Sequence, residues 1–318
     1  MAEAKHAPGR SCPPHYRYSP SVFAAPPALR AEALYVVGGL YGNACALDAV
    51  LAMARAEHAA LVFNGDFHWF DVDPPGFADV DARVLGHAAL RGNVETEIAD
   101  EDSGAGCGCA YPEWVGDGEV ERSNAILARL RETARAEPAR RARLAGLPMH
   151  LVAEVGGVRV GIVHGDAESL AGWLFSQELL ARRPERAARA LEDARVEVFA
   201  SSHTCLPVMQ SLATARGSVL VANNGAAGMP NFSGERFGVV TRIAPAPSRD
   251  ALYGTSVGPV RVEAVPVRYD HEAWLERFDG VWPAGSPAAV SYRERLVSGP
   301  RWSLEEAVRI AAPRSRAA

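Results

Sequence analysis

Lysine is all but missing from this sequence. Lys5 is the single one, so arginine carries nearly all the positive charge. That reads as coding bias and carries no functional weight. Basic charge is not in excess either: 33 Lys and Arg stand against 38 Asp and Glu, a net charge of -5. This argues against non-specific binding to nucleic acid or to an anionic membrane. No uninterrupted apolar run reaches the roughly 20 residues that a membrane helix needs. Residues 35–54 come closest, but Asn43, Asp48 and three glycines interrupt them. The opening "MAEAKHAPGRSCPPHYRYSP" lacks the apolar core of a signal peptide. A soluble, cytoplasmic protein is the expectation. Cysteine is scarce and odd in number: Cys12, Cys45, Cys107, Cys109 and Cys205. In a reducing compartment these are free thiols or metal ligands rather than disulfides. Two nucleotide signatures are also missing. Gly38-Gly39-Leu40-Tyr41-Gly42-Asn43 supplies neither G-x-G-x-x-G nor the G-K-[S/T] of a P-loop.

What is present is a chain of 318 residues, 48% hydrophobic, enough for one large core or two modest ones. Residues 1–30 are proline-rich and read as an extended N-terminal arm. Residues 31–270 read as one domain, and 271–318 as a mostly helical tail packed on it, to which no chemistry is assigned. Strand patterns fall at 33–38, 60–65, 87–91, 150–155, 158–163, 196–201, 218–222, 237–243 and 259–268. Helical patterns cover 44–57, 121–146, 168–181 and 184–195, and 244–258 reads as a loop. Gly156-Gly157, between two apolar runs, predicts a two-residue hairpin. The early strand–helix–strand alternation favours parallel pairing, whereas the later hairpins favour a mixed or second sheet.

Residues suited to chemistry collect in five corners where strands end. The first is "VVGGLYGNACALDAV", the second "LVFNGDFHWFDVD" with Asp66. The third is "ALRGNVETE" with Asn93, the fourth "VGIVHGD" with His164, and the fifth "VFASSHTCLP" with His203 and Cys205. Open α/β folds bind ligands at such strand ends. Taken singly, an Asp after Gly is an ordinary turn residue, and a lone His on an apolar strand an ordinary core histidine. As an ordered set, four buried polar groups need partners, and a shared cation satisfies them together.

The ordered set resembles the calcineurin-like metallophosphoesterase family. Its motifs run D-x-H-G-N, G-D, G-N-H-[D/E], a histidine before glycine, and G-H-x-H, and the match spans about residues 33–245. The resemblance implies an α/β (α+β) fold of two packed mixed β-sheets flanked by helices, with metal at the strand ends. Gly42, Asn43, Gly65, Asp66, Gly92, Asn93, Glu95, His164 and His203 match. Gly39 stands where the family has a metal-binding Asp, Tyr41 where it has His, Val94 where a His commonly assists catalysis, and Cys205 where the last His would be. These departures cluster. Asp66, Asn93, His164 and His203 make up one intact metal site, and the neighbouring site is dismantled or rebuilt.

The resemblance therefore implies hydrolysis of a phosphoester, monoester or diester, by a metal-activated water. Asn93, His164 and Glu95 are the candidate catalytic residues, with Glu95 orienting the water. Mn²⁺, Fe²⁺ and Zn²⁺ all suit the mixed O/N site, and occupancy of a second site is left open. Cys205, Tyr41, Cys107 and Cys109 are possible replacement ligands, although each also has a plain packing role. Arg91 and Asn224 are candidates for substrate contact, and His68 and His87 for protonating a leaving oxygen. A small phosphoester or a phosphoprotein is the expected substrate class; oligomeric state is left open. The rival reading is a binding or regulatory module on the same fold, holding metal without turnover.

Overall fold

The computed structural model describes residues 7–100 and 104–310. The N-terminal stretch carries two 3-10 turns, Pro14–Tyr16 and Pro20–Ala24, before β1 (Leu29–Ala31). Tyr16 and Phe23 are fully buried, and Phe23 meets Phe199 edge-on at 5.0 Å. Two buried aromatics thus fasten this stretch to the outer face of a sheet. There follow β2 (Leu34–Val37), α1 (Ala44–Glu57), β3 (Ala60–Asn64), α2 (Pro74–Val84), β4 (Ala88–Leu90) and α3 (Asn93–Ala99). Next come α4 (Asp117–Arg135), α5 (Pro138–Ala145), the hairpin β5 (His150–Val155) and β6 (Val158–Val163), α6 (Gln177–Arg182) and α7 (Pro184–Glu192). The later strands are β7 (Val198–Ser201), β8 (Pro207–Thr214), β9 (Gly217–Asn224), β10 (Gly238–Ala244), β11 (Tyr253–Val257) and β12 (Val260–Val267). The chain closes with α8 (His271–Val281), α9 (Pro287–Ser298), α10 (Leu304–Ala307) and β13 (Val308–Arg309).

Two mixed sheets result. One has the order β11-β12-β10-β2-β3-β4, with β2, β3 and β4 parallel. The other runs β1-β5-β6-β7-β9-β8-β13, with β6, β7 and β9 parallel. Alternating strand residues sort the core into layers. Leu34, Val36 and Val62 face Val160, Ile162 and Ala200 between the sheets. Tyr35, Val37, Leu61 and Phe63 turn outward under α1, α2, α4 and α8. Val163, Phe199 and Val221 do the same under α6 and α7. No helix among the described residues is long and apolar enough to cross a membrane.

Several elements differ from the sequence pattern, each for a local reason. The helix expected over 121–146 is two helices, because Pro138 opens a new one and holds Glu137 at φ -128°, ψ 62°, outside the helical region. Residues 168–176 make turns; only Gln177–Arg182 is helical, started by the Ser176 hydroxyl accepting the Leu179 N–H. β11 forms within the expected loop, pairing with β12 across a tight turn at Gly258. The strand β8 and the helix α2 carry no clear periodic signal. α2 starts on Asp73, whose carboxylate accepts the Gly76 N–H, with prolines in its first turn.

Candidate metal centre

Each corner lies at the carboxyl end of a strand: Gly39 and Tyr41 after β2, Asp66 after β3, Asn93 after β4, His164 after β6, His203 after β7. The sheets are laced together at this end. The Asn64 side chain donates to the Val163 carbonyl (2.9 Å), and the Asn64 carbonyl accepts from His164 Nδ1 (3.0 Å). Corner two meets corner three at Gly65, whose φ is +96°. A Cβ there would stand 2.6 Å from the Gly92 backbone and 2.7 Å from His164 Nδ1, so only glycine permits the approach.

Glu95 holds these two corners together. One carboxylate oxygen accepts the Asp66 and Gly92 N–H groups, both at 2.8 Å, and the other accepts the Phe67 N–H at 3.0 Å. Both oxygens face backbone amides and neither is turned toward the cavity as the water-orienting expectation requires. Glu95 is thus placed as a brace. Burial, reinforced by Asp66, raises its carboxyl above the usual range.

Four polar atoms converge in the space so built. Asp66, His164 and His203 each bring a ligand atom within 4.8 Å of the others, and all three are buried. His164 Nε2 lies 3.0 Å from Asn93 Oδ1, 3.1 Å from His203 Nδ1 and 3.3 Å from Asp66 Oδ2. The outward bonds decide which atoms face inward. His164 Nδ1 is engaged by the Asn64 carbonyl, and His203 Nε2 by the Cys109 carbonyl at 3.0 Å. The Asn93 amide nitrogen donates to the Cys107 carbonyl at 2.9 Å, and Asp66 Oδ1 accepts the Val94 N–H at 3.2 Å. What remains is two imidazole nitrogens and two oxygens, four lone pairs pointing at one another. A cation satisfies all four; a single proton satisfies two.

The electrostatics agree. Burial and His164 push the His203 imidazole down to about 3, which keeps it neutral as a ligand must be. Burial opposes the charge of His164, but Asp66 outweighs it and raises its pKa; burial likewise works against ionised Asp66, and His164 lowers it. Asp66 and His164 thus favour sharing a proton.

Against this geometry stand the comparisons with known proteins. No protein-family model matches the sequence, and no curated protein matches it. Solved structures match in fold, among them two over most of this chain. A hypothetical protein from Pyrococcus horikoshii aligns with a TM-score of 0.56 and 18% identity, over 86% of this chain and 100% of that one. A metallophosphoesterase from Sphaerobacter thermophilus aligns with a TM-score of 0.54 and 16% identity, over 84% of this chain and 100% of that one. The chain has the metallophosphoesterase fold.

On that metallophosphoesterase fold the neighbouring corner has been filled. The Tyr41 ring lies over Gly39, where a Cβ would come within 2.9 Å of it. Its hydroxyl pairs with Cys205 Sγ at 2.9 Å. Tyr41 and Cys205 take positive φ, at 55° and 61°, a strained backbone held by its surroundings, whereas Gly39 takes 63° freely. Burial raises the Tyr41 phenol, with Cys205 and Asp66 adding to it, and burial raises the Cys205 thiol against the opposing pull of Arg295. Both shifts favour the protonated forms, and the hydroxyl and thiol hydrogen-bond to each other.

The cysteine pair of the third loop serves through its backbone. Cys107 and Cys109 are buried free thiols, and their carbonyls orient Asn93 and His203. Cys109 Sγ sits 3.5 Å from the Asn93 amide nitrogen but outside the cluster of converging ligand atoms. Arg91 donates to the Ala145 carbonyl and does not line the cavity. The Asn224 amide donates to the carbonyls of Gly38 and Val239, bracing the first corner. His68 is fully buried, stacked on Phe77 at 4.1 Å and bonded to Asp71 at 3.1 Å. His87 packs by Phe63, away from the cavity.

The ligand cluster opens into a cavity of about 260 Å³ walled by Trp69, Tyr111, Trp173 and Tyr292, with Glu119 and Arg295 among its polar residues. Tyr292 and Arg295 come from α9, in the tail to which the sequence assigns no chemistry. No local feature of the sequence marks either of them.

Proposed function

We propose that this protein hydrolyses a phosphoester in a metal-dependent reaction. The observation that carries the reading is the convergence of Asp66, Asn93, His164 and His203, whose inward nitrogens and oxygens are all atoms able to ligate one ion. These residues would hold one divalent ion, with Mn²⁺, Fe²⁺ and Zn²⁺ all compatible with the donor set. Such an ion supplies Lewis-acid polarisation of a phosphoryl oxygen and a water of lowered pKa. The chain does the rest. Asn64 and the Cys107 and Cys109 carbonyls fix the orientation of the ligands. The aromatic walls exclude bulk water and offer flat faces to an apolar or ring-bearing ester group.

A second reading has its own support. Val94, fully buried, stands where the resembling family places an assisting histidine, and Tyr41 and Cys205 close the neighbouring site. A module that holds metal without turnover fits both facts. The two readings part in one experiment: load the protein with Mn²⁺, Fe²⁺ or Zn²⁺, determine bound metal, and assay phosphomonoester and phosphodiester model substrates. Turnover that follows metal content supports the hydrolase. Stoichiometric metal with no turnover on either class supports the module.

A further inference from the structure

We propose that Arg295 is the phosphate-binding residue of this cavity, placing a fixed guanidinium beside the metal cluster to hold the oxygens of an anionic ligand. The inference rests on the phosphoester reading above.

Arg295 is the only arginine or lysine among the residues lining the cavity. It sits near the end of α9, and two of its three nitrogens are tied to backbone. Nε donates to the Pro230 carbonyl at 3.0 Å and Nη2 to the Cys205 carbonyl at 2.6 Å. Two carbonyls on separate loops fix the plane of the guanidinium. Nη1 hydrogen-bonds to none of the described residues, and none of their carboxylates lies within ion-pair distance of this side chain. A half-buried, immobilised cation without a counter-ion is uncommon unless an anion arrives from outside.

Its position suits that anion. Cys205, which it holds through the carbonyl, follows the ligand His203 by two residues and bonds to Tyr41. Arg295 is close enough that its charge offsets part of the effect of burial on both Tyr41 and Cys205. The cation therefore lies on the wall where the Tyr41 phenol and the Cys205 thiol hydrogen-bond to each other. One divalent ion next to Asp66 offers limited positive charge to a phosphoryl group. A planar donor fork adds charge and direction together, and costs no reorganisation when the ligand binds.

The test uses the full-length protein loaded with Mn²⁺ and titrated calorimetrically with inorganic phosphate. Arg295→Gln is expected to weaken phosphate binding by about tenfold or more, with bound manganese unchanged and a lower melting temperature from the lost bonds to the Pro230 and Cys205 carbonyls. Arg295→Lys is expected to fall between. Wild-type affinity in Arg295→Gln overturns the inference, as does a wild-type protein that binds no phosphate. Should Arg295→Gln fail to fold, a structure of the wild-type protein with manganese and phosphate decides the matter. A phosphate oxygen within hydrogen-bond distance of Nη1 upholds the inference; phosphate elsewhere refutes it. Phosphate held by Arg295 without hydrolysis of any phosphoester defeats the hydrolase reading alone. Hydrolysis with Arg295→Gln unimpaired defeats this inference alone.

Discussion

Two neighbouring corners of one strand-end mouth differ in how their polar atoms are satisfied. Around His164, the carbonyls of Asn64, Cys107 and Cys109 take the outward nitrogens of the ligand side chains, and two imidazole nitrogens and two oxygens meet inside with one proton favoured between Asp66 and His164. Around Gly39, a hydroxyl and a thiol close on each other at 2.9 Å, and a ring occupies the space an aspartate would need. Polarity alone therefore does not make a metal site. A cluster calls for a cation when more acceptor atoms converge than its protons can serve, and does not when each donor already faces an acceptor.

The contrast breaks most visibly at the intact corner. Asp66→Ala and His164→Ala are each expected to remove bound metal and reduce hydrolysis to background, read by elemental analysis and by turnover of a model ester. Either variant keeping both would show that the four atoms are not a metal site. A third histidine close by sharpens the comparison, because both nitrogens of His68 face carboxylates, which favour a proton on each. Burial works against its charge, but Asp71 and Asp81 outweigh burial and lift it to about 9. A folded pKa above the unfolded value of about 6.5 gives stability that is full below pH ~6.5 and lost as pH rises through ~9. The loss is on the order of 3 kcal/mol. Denaturant melts at the two ends of that range measure it, and His68→Gln is expected to flatten the slope.

At the filled corner the expected effects are smaller. Gly39→Asp drives a Cβ toward the Tyr41 ring and is expected to cost about 1–3 kcal/mol by thermal melting. Adding Tyr41→His relieves the clash, and adding Cys205→His as well is expected to raise the metal content from one ion to two. If Gly39→Asp alone were neutral, the ring would not be what closes this corner. Least of all, Tyr41→Phe removes one hydrogen bond. It is expected to cost about 1 kcal/mol and to leave bound metal unchanged; a fall in metal would make Tyr41 a ligand after all.

The two-sheet architecture was legible because apolar runs of strand length end in small residues, and such runs can only be buried by stacking. Asp66, Asn93, His164 and His203 were legible for the same reason, each standing where an apolar run stops. Glu95 was visible as a polar residue, but its bracing role depends on amides that have the same spelling everywhere. Cys107 and Cys109 drew attention as thiols, whereas the structure uses their carbonyls. Arg295 gave no signal, because nothing local marks a helix residue that meets a loop 90 positions earlier.

The sequence by itself determined the order of the strands' polar endings and which residue types stand at each corner. Tertiary structure decided which lone pairs face inward, which space a tyrosine ring fills, and which arginine reaches the cavity. The reason is physical. A residue's type sets what bonds it can make, but the direction of those bonds is fixed by backbone groups from distant segments, and these carry no mark of their own in the sequence.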